Sequence, residues 1–427
     1  MKFKKNKFAL GSFLKKKSFA NTLAIFQSFL LRFIIQSVYF VILARTFGPE
    51  KYGAYVGIIA IISILIPFSN WGSGELLIQN VARNKELFRE YFGTAILKSI
   101  FFGSIFTLLL LIIYSTISIP YISIYSVFVL AVANLIFLKL SDLARDAFLA
   151  MGFMQYTGAT VIIFSLTRLL GILAFVVFFD RSNLFIWCVL YCLATFLSAL
   201  IGFILTIKTL GYPKFKLSTV TNEFKLGFSF SVGTAASNIY NDLDKSMLAK
   251  LSTTQAAGIY SAAYHILNVA LLPLMSILYV SFRKFFQEGA SGIHNSFKLS
   301  KKLLPISLAY SLIAVAGLCI FAPFLPKIIG EEYASSTTAL ILLSPTILVR
   351  TMHSFAADTL TGANFQHTRS TFQVVVAIIN GLLNFWLIPL YQWRGAIWAT
   401  LISEFLLMVF LWLSVYIYAK KSPVNPT

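Results

Sequence analysis

Carboxylates are scarce in this chain. Its 427 residues hold only 15 Asp and Glu against 35 Lys and Arg, and charged residues make up just 12% of it. A soluble domain carries about 25%, so a soluble enzyme is excluded. Cysteine is also rare. Cys188, Cys192 and Cys319 supply no disulfide framework or metal cluster. Cys188 and Cys192, four apart on one face of an apolar helix, read as small apolar filler. The four histidines (His265, His294, His353, His367) show no metal-ligand spacing. No GxxxxGK[ST] loop is present, and Gly72-Ser73-Gly74 lacks the rest of a dinucleotide fingerprint. Neither an ATP-driven pump within this chain nor a resident metal or organic cofactor is expected.

Long apolar runs are what the chain has in excess: 58% is hydrophobic and Phe alone supplies 42 residues. A bilayer-spanning helix needs about 20 mostly apolar residues. Twelve such spans fit at 18–44, 53–70, 92–116, 121–142, 157–179, 184–208, 222–243, 256–281, 303–326, 335–358, 369–390 and 394–419. The expectation is an all-α integral membrane protein.

Residues 1–17 carry seven lysines, interleaved with Phe3, Phe8, Phe13 and Leu14, and no acid. The following segment is too long for a signal peptide and contains Arg32, so it reads as a retained first span. Such a tail suits the anionic cytoplasmic leaflet, with anionic membrane lipids as partner; it reads equally as a solvated orientation signal. With the N-terminus in the cytoplasm, 25 basic residues fall on inside connections and tails and seven outside. The other three, Arg32, Arg168 and Arg350, fall within spans. The positive-inside rule absorbs most of the +20 net charge, and no nucleic-acid partner is expected. Both termini are then cytoplasmic, and every outside connection is short.

The chain also repeats. Ala44-Arg45 and Gly53-Ala54-Tyr55 after the first span match Ala249-Lys250 and Gly258-Ile259-Tyr260 after the seventh, at a constant offset of 205. Pro67 answers Pro273 at 206, and Gln155 and Thr157 answer Gln366 and Thr368 at 211. Six spans per repeat give two halves of the same orientation, a transporter architecture. The expected domains are the tail at 1–17, a six-helix bundle at 18–210, a cytoplasmic linker at 211–221, a second six-helix bundle at 222–419, and a tail at 420–427.

An arginine at a span centre costs about 2.5–3.5 kcal/mol on insertion scales, so it faces a wet cavity or pairs with an acid. Arg32 shares a helix face with Gln36 and Tyr39; Asn238, Asp242 and Lys245 belong to a polar stripe in the equivalent seventh span. These stripes read as cavity lining or as interhelical glue. Arg32, Arg168, Arg350, Gln36, Tyr39, Asn238 and Lys245 are the candidate substrate-binding residues, since guanidiniums pair bidentately with phosphate oxygens. The alternative for the arginines is structural pairing with Glu404, Asp358 or Asp142. Asp242, Asp244 and Glu404 are candidate acids for coupling to H+ or Na+. Pro67 and Pro273 mark bent helices that could act as hinges.

Arg45-Thr46-Phe47-Gly48-Pro49-Glu50-Lys51-Tyr52-Gly53 resembles the signature of bacterial polysaccharide repeat-unit flippases of the Wzx type. So does Leu383-Asn384-Phe385-Trp386-Leu387-Ile388-Pro389-Leu390, followed by Gly395-Ala396, Ala399-Thr400 and Glu404. These proteins belong to the multidrug/oligosaccharidyl-lipid/polysaccharide (MOP) exporter superfamily. The resemblance implies a MATE-like V-shaped pair of six-helix bundles around a cationic lumen. It implies translocation of an undecaprenyl-pyrophosphate-linked O-antigen or capsule unit across the bacterial inner membrane, beside a polysaccharide polymerase and chain-length machinery. Arg32 matches the family's habit of basic cavity residues; Arg168 and Arg350 match only in kind. The related lipid II flippases have two more spans. A drug/cation antiporter shares the architecture but calls for an acidic cavity. A membrane polymerase or ligase calls for a long outside loop with catalytic Arg or His, so no enzymatic activity is expected.

Overall fold

In hydrocarbon a backbone satisfies its own polar groups only as a helix or a closed barrel. The computed structural model describes residues 4–215 and 224–421, with side chains from Gln27 onward save at scattered helical positions. The side chains of the lysine-rich tail, the linker from 216 and residues 422–427 lie outside that description. Among the described residues every regular element is helical.

The chain begins with α1 (Lys4–Ser69), a single run broken at Gly48, whose φ of 63° is left-handed backbone that glycine adopts without strain. Then come α2 (Ser73–Arg83), α3 (Phe88–Ile117), α4 (Ile124–Ala131), α5 (Leu138–Met151), α6 (Met154–Phe178) and α7 (Leu184–Leu210). A six-residue π turn, Val132–Phe137, joins α4 to α5. The second half comprises α8 (Phe224–Leu251), α9 (Thr254–Gly289), α10 (Ile293–Phe321), the short α11 (Leu325–Ile329), α12 (Ala334–Leu343), α13 (Thr346–Gly362), α14 (Gln366–Tyr391) and α15 (Trp393–Lys421).

Nine of the described helical stretches are long and apolar enough to cross a membrane, or ten if the pair ending in α12 and α13, bent by 41°, is one span. The sequence predicts twelve. α1 holds two of the expected spans on either side of Gly48. α8 is helical over 28 residues, but its polar stripe lowers its hydropathy below that of its neighbours. The fourth span, expected at 121–142, instead continues through the π turn to Met151.

Two compact units divide the chain: Met1–Phe47 with Ile61–Asn238, and Gly48–Ala60 with Ile239–Thr427. The division falls inside α1 and α8 rather than at the linker. In the first unit Leu77 and Val81 of α2, Phe88, Phe92 and Ala95 of α3, and Leu143, Ala147 and Ala150 of α5 form a buried cluster. In the second, Ile293, Ala356, Leu360, Val376, Leu407, Leu411 and Val415 do the same across α10, α13, α14 and α15. There α10 meets α13 through small hydroxyl residues. Ser296 Oγ donates to Thr359 O at 3.0 Å, and Ser311 Oγ and Thr351 Oγ1 lie 2.7 Å apart. Such pairs let membrane helices approach closely while satisfying their own polar atoms. Outward faces are apolar, with Phe178 at 77% and Ile112 at 67% exposure. Surfaces of that kind belong in lipid.

Pro67 lies near the end of α1. The helix stops at Ser69, Trp71 (φ 50°) and Gly72 (φ 64°) turn the chain, and α2 restarts at Ser73. The break is held in place by α8. Ser231 Oγ donates to Pro67 O at 2.8 Å, Trp71 Nε1 donates to Phe224 O at 3.0 Å, and the indole stacks 4.5 Å from the Phe102 ring. Pro273 instead sits inside a continuous α9. There the Tyr310 hydroxyl donates to Ala270 O at 2.7 Å, in the turn where the proline ring disturbs backbone pairing.

The repeat surfaces in the second unit as a close crossing. A Cβ at Gly53 would lie 1.8 Å from Thr254 O, and one at Gly258 2.0 Å from Pro49 O. The two glycines matched at offset 205 pack against each other's neighbouring backbone, and only glycine fits at either.

Candidate functional site

In the first unit, α1, α5, α6 and α7 gather a cationic, aromatic cluster. Arg168 of α6 lies with its guanidinium carbon 4.1 Å from the Phe164 ring centroid and 4.4 Å from that of Tyr191 on α7. It donates through Nη2 to the Tyr191 hydroxyl, which in turn donates to Asn134 Oδ1 at 2.8 Å. Asn134 sits in the π turn, the local unwinding that aims it at Tyr191; such turns often mark functional positions. Among the described residues no carboxylate pairs with Arg168, and its Nε is buried without an acceptor. The aromatic faces therefore hold a cation whose hydrogen-bonding capacity is only partly used.

Arg32 of α1 is half-buried, and the charges acting on it are those of Arg145, Asp142 and Arg168. Arg145 of α5 binds Asp142 Oδ1 through Nη1 at 2.8 Å and Asp146 Oδ1 through Nη2 at 2.9 Å. Lys139 lies 3.6 Å from Asp142. The sequence counts Arg145 among the inside basic residues; α5 is helical through Met151 and sets it against Asp142 and Asp146. Gln36 is half-buried on α1, and Tyr39 places its ring 6.0 Å from Trp187. Asn238 is a brace: its Nδ2 donates to Ser63 O at 2.7 Å, tying α8 to the second part of α1.

The second unit holds a different arrangement. Arg350 of α13 donates to Glu404 Oε1 of α15 through Nε at 2.9 Å and Nη2 at 2.6 Å, and Nη2 also reaches the Tyr264 hydroxyl at 3.0 Å. His353, one turn on, lies 2.6 Å from Glu404 Oε2. Glu404 is only 1% exposed. The residues chosen as cargo cation and coupling acid are thus bound to each other, and the pairing alternative for Arg350 finds its partner in Glu404.

Nearby on α8, Lys245 pairs with Asp242, donates to Asn241 O at 3.0 Å and sits 4.7 Å from the Tyr264 ring. Asp244 is buried. It accepts from the Tyr260 hydroxyl and, at 2.8 Å, from Lys245 N, and Tyr260 reaches Thr400 Oγ1 at 3.1 Å. A cavity of about 150 Å³ opens beside these groups, lined in part by Asp242, Lys245, Ser261, Tyr264 and His265. It brings Asp242 and Lys245 to one small polar pocket. The sequence reading missed Tyr260, Tyr264 and His353, although Tyr260 and Tyr264 are one helical turn apart and His353 follows Arg350 by three.

The model of a family described as polysaccharide biosynthesis proteins matches residues 18–287, well over half of this chain. The chain belongs to that family. The chain is similar to an uncharacterized membrane protein of Methanocaldococcus jannaschii, 25% identical over 276 residues, which covers 60% of this chain and 52% of that one. The match spans about half the length of that curated relative. Among solved structures its fold resembles an inward-facing multidrug resistance MATE family transporter of the MOP superfamily. That likeness has a TM-score of 0.76 at 14% identity, over 92% of this chain and 99% of the other. It also resembles the lipid II flippase MurJ in an inward closed conformation, with a TM-score of 0.71 at 14% identity, over 93% and 87%. A third likeness is a MOP superfamily transporter from Pyrococcus furiosus, described as having a binding pocket of reversed polarity, with a TM-score of 0.63 at 13% identity over 94% and 96%. The chain is therefore a multi-pass membrane protein, all-α among the described residues, with a MATE-like fold.

Proposed function

We propose that this protein is a flippase. Its cargo is an undecaprenyl-pyrophosphate-linked oligosaccharide repeat unit, of O-antigen or capsule, moved from the cytoplasmic to the periplasmic leaflet of a bacterial inner membrane. The observation that carries the reading is Arg168, a guanidinium held between two aromatic rings with no carboxylate partner among the described residues and with Arg32 within electrostatic reach. A cation that neutralised structure alone would have an acid beside it, as Arg145 and Arg350 do. Pyrophosphate is the anion such a pair fits, because it offers several oxygens to two planar donor forks. The lipid tail stays in the bilayer while sugar and pyrophosphate pass the polar cluster. On this reading Arg350 positions α13 against α15 rather than meeting cargo. Asp242 and Asp244 serve as the acids that exchange H+ or Na+.

The test is complementation. The chain is expressed in a strain that makes the cognate glycan but lacks its own repeat-unit flippase, and surface polysaccharide is blotted. Rescue is expected, and it should fall at least tenfold in Arg168→Ala and Arg32→Ala at equal membrane level. No rescue would overturn the flippase reading; full rescue by both variants would remove the arginines from the cargo path. A MATE-like cation-coupled antiporter is the second reading, favoured by Asp242, which lines a small polar cavity. It calls for drug efflux that Asp242→Asn abolishes.

A further inference from the structure

We propose that the end of the second unit where α10 begins and α15 finishes carries a headgroup site for an anionic phospholipid. A cavity of about 480 Å³ opens there, lined by His294, Phe297, Lys298, Lys301, Tyr416, Ala419 and Lys420. Its charged walls are three lysines, and no carboxylate is among its lining residues. His294, Lys298 and Lys301 stand at successive turns along one face of α10. Lys420 faces them from the last turn of α15, where carbonyl dipoles also favour cations. Lys301 Nζ lies 4.3 Å from the Phe297 ring centroid, which fixes the ammonium over the floor of the pocket. Packing against the buried Ala419 and Ile293 anchors both helix ends.

The chemistry recognised is a phosphate group, and the surroundings say which source. Immediately along the same two helices the surface becomes apolar and exposed: Ile306 at 67% on α10, Tyr416 at 63% and Leu413 at 52% on α15. A ligand with its phosphate among the lysines and acyl chains along that face matches both surfaces at once. A free phosphate uses only the first. Basic pockets between membrane helices on the cytoplasmic side bind acidic headgroups by this logic. The proposal does not depend on the flippase reading.

The experiment uses the full chain, purified in detergent and mixed with phosphatidylglycerol or phosphatidylethanolamine, with retained lipid counted by native mass spectrometry. The parent should hold one phosphatidylglycerol at far lower concentration than it holds phosphatidylethanolamine. Each lysine near an acidic headgroup contributes roughly a fivefold gain. The triple variant Lys298→Gln, Lys301→Gln, Lys420→Gln should therefore need on the order of a hundredfold more lipid. The corresponding Lys→Arg triple should bind as the parent does and so control for folding, as should equal elution volumes on size exclusion. Changing Lys15, Lys16 and Lys17 to Gln should leave this step in place, and inorganic phosphate should not displace the lipid. Unchanged retention in the Gln triple would overturn the proposal. So would equal retention of phosphatidylethanolamine, or loss of the step with the tail variant. Displacement by inorganic phosphate, lost in the Gln triple, would assign the pocket to a soluble phosphate instead.

Discussion

Removing the Glu404 carboxylate should be among the most damaging single changes in the second unit, and removing Arg350 with it should repair most of that damage. Glu404 is 1% exposed, takes two short bonds from Arg350 and faces His353 from its other oxygen. Glu404→Ala leaves the largely buried Arg350 guanidinium without its carboxylate. Stranding one partner of a buried pair costs about 3–5 kcal/mol, whereas replacing both with apolar groups of similar volume is often close to neutral. At about 2–4 °C per kcal/mol for a unit of this size, Glu404→Ala should melt on the order of ten degrees below the parent. The double variant Arg350→Met, Glu404→Leu should recover to within about 3 °C. The assay is loss of the monodisperse size-exclusion peak after heating detergent-solubilised protein, at one heating rate because such melts are kinetic. The transport readout is the same complementation. If Arg350 only positions α13 against α15, the double variant still exports polysaccharide. A double variant that melts as low as Glu404→Ala would refute the pairing argument. One that is stable but inactive would return Arg350 to the cargo path.

Arg168→Ala should differ from Arg350→Ala. The first strands no acid and should melt within a few degrees of the parent while losing export; the second leaves Glu404 charged and buried and should lose folded yield. Gly53→Ala and Gly258→Ala each place a Cβ at or below 2.0 Å from a carbonyl oxygen that no rotamer change can relieve. Both should lower the melting temperature by several degrees or more. Gly152→Ala, with nothing within 4 Å but a φ of +82°, should cost only about 1 kcal/mol of backbone strain, as read by the same heating assay.

Much of the fold was legible because the bilayer leaves an apolar run of 20 residues one way to satisfy its backbone. The break near the end of α1 was marked by Pro67, whereas Gly53 and Gly258 were legible only as a repeated motif and not as a crossing. The polar interactions were not legible. Arg350 and Glu404 are 54 positions apart, and composition offered Asp358 and Asp142 as equal partners. Asp358 instead lies 3.9 Å from Arg369, and Asp142 binds Arg145. The π turn leaves no hydropathy signature, so the link from Asn134 through Tyr191 to Arg168 was hidden. Nor did the sequence show that the charged residues Lys139, Asp142, Arg145 and Asp146 pair with one another within one continuing helix.

The assignment of Gly48–Ala60 to the second unit has a consequence for how the chain is made. Those residues leave the ribosome early, yet the helices they pack with, starting at Ile239, come much later. At about 5–20 residues per second the segment waits on the order of ten to forty seconds for its partners. Conversely, the first unit needs the α8 residues up to Asn238 to brace the turn after Ser69. Neither unit can finish assembly before synthesis has passed the middle of the chain. A ribosome stalled before α8 leaves a membrane intermediate whose Gly53 face still lacks the Thr254–Gly258 backbone that covers it in the finished fold.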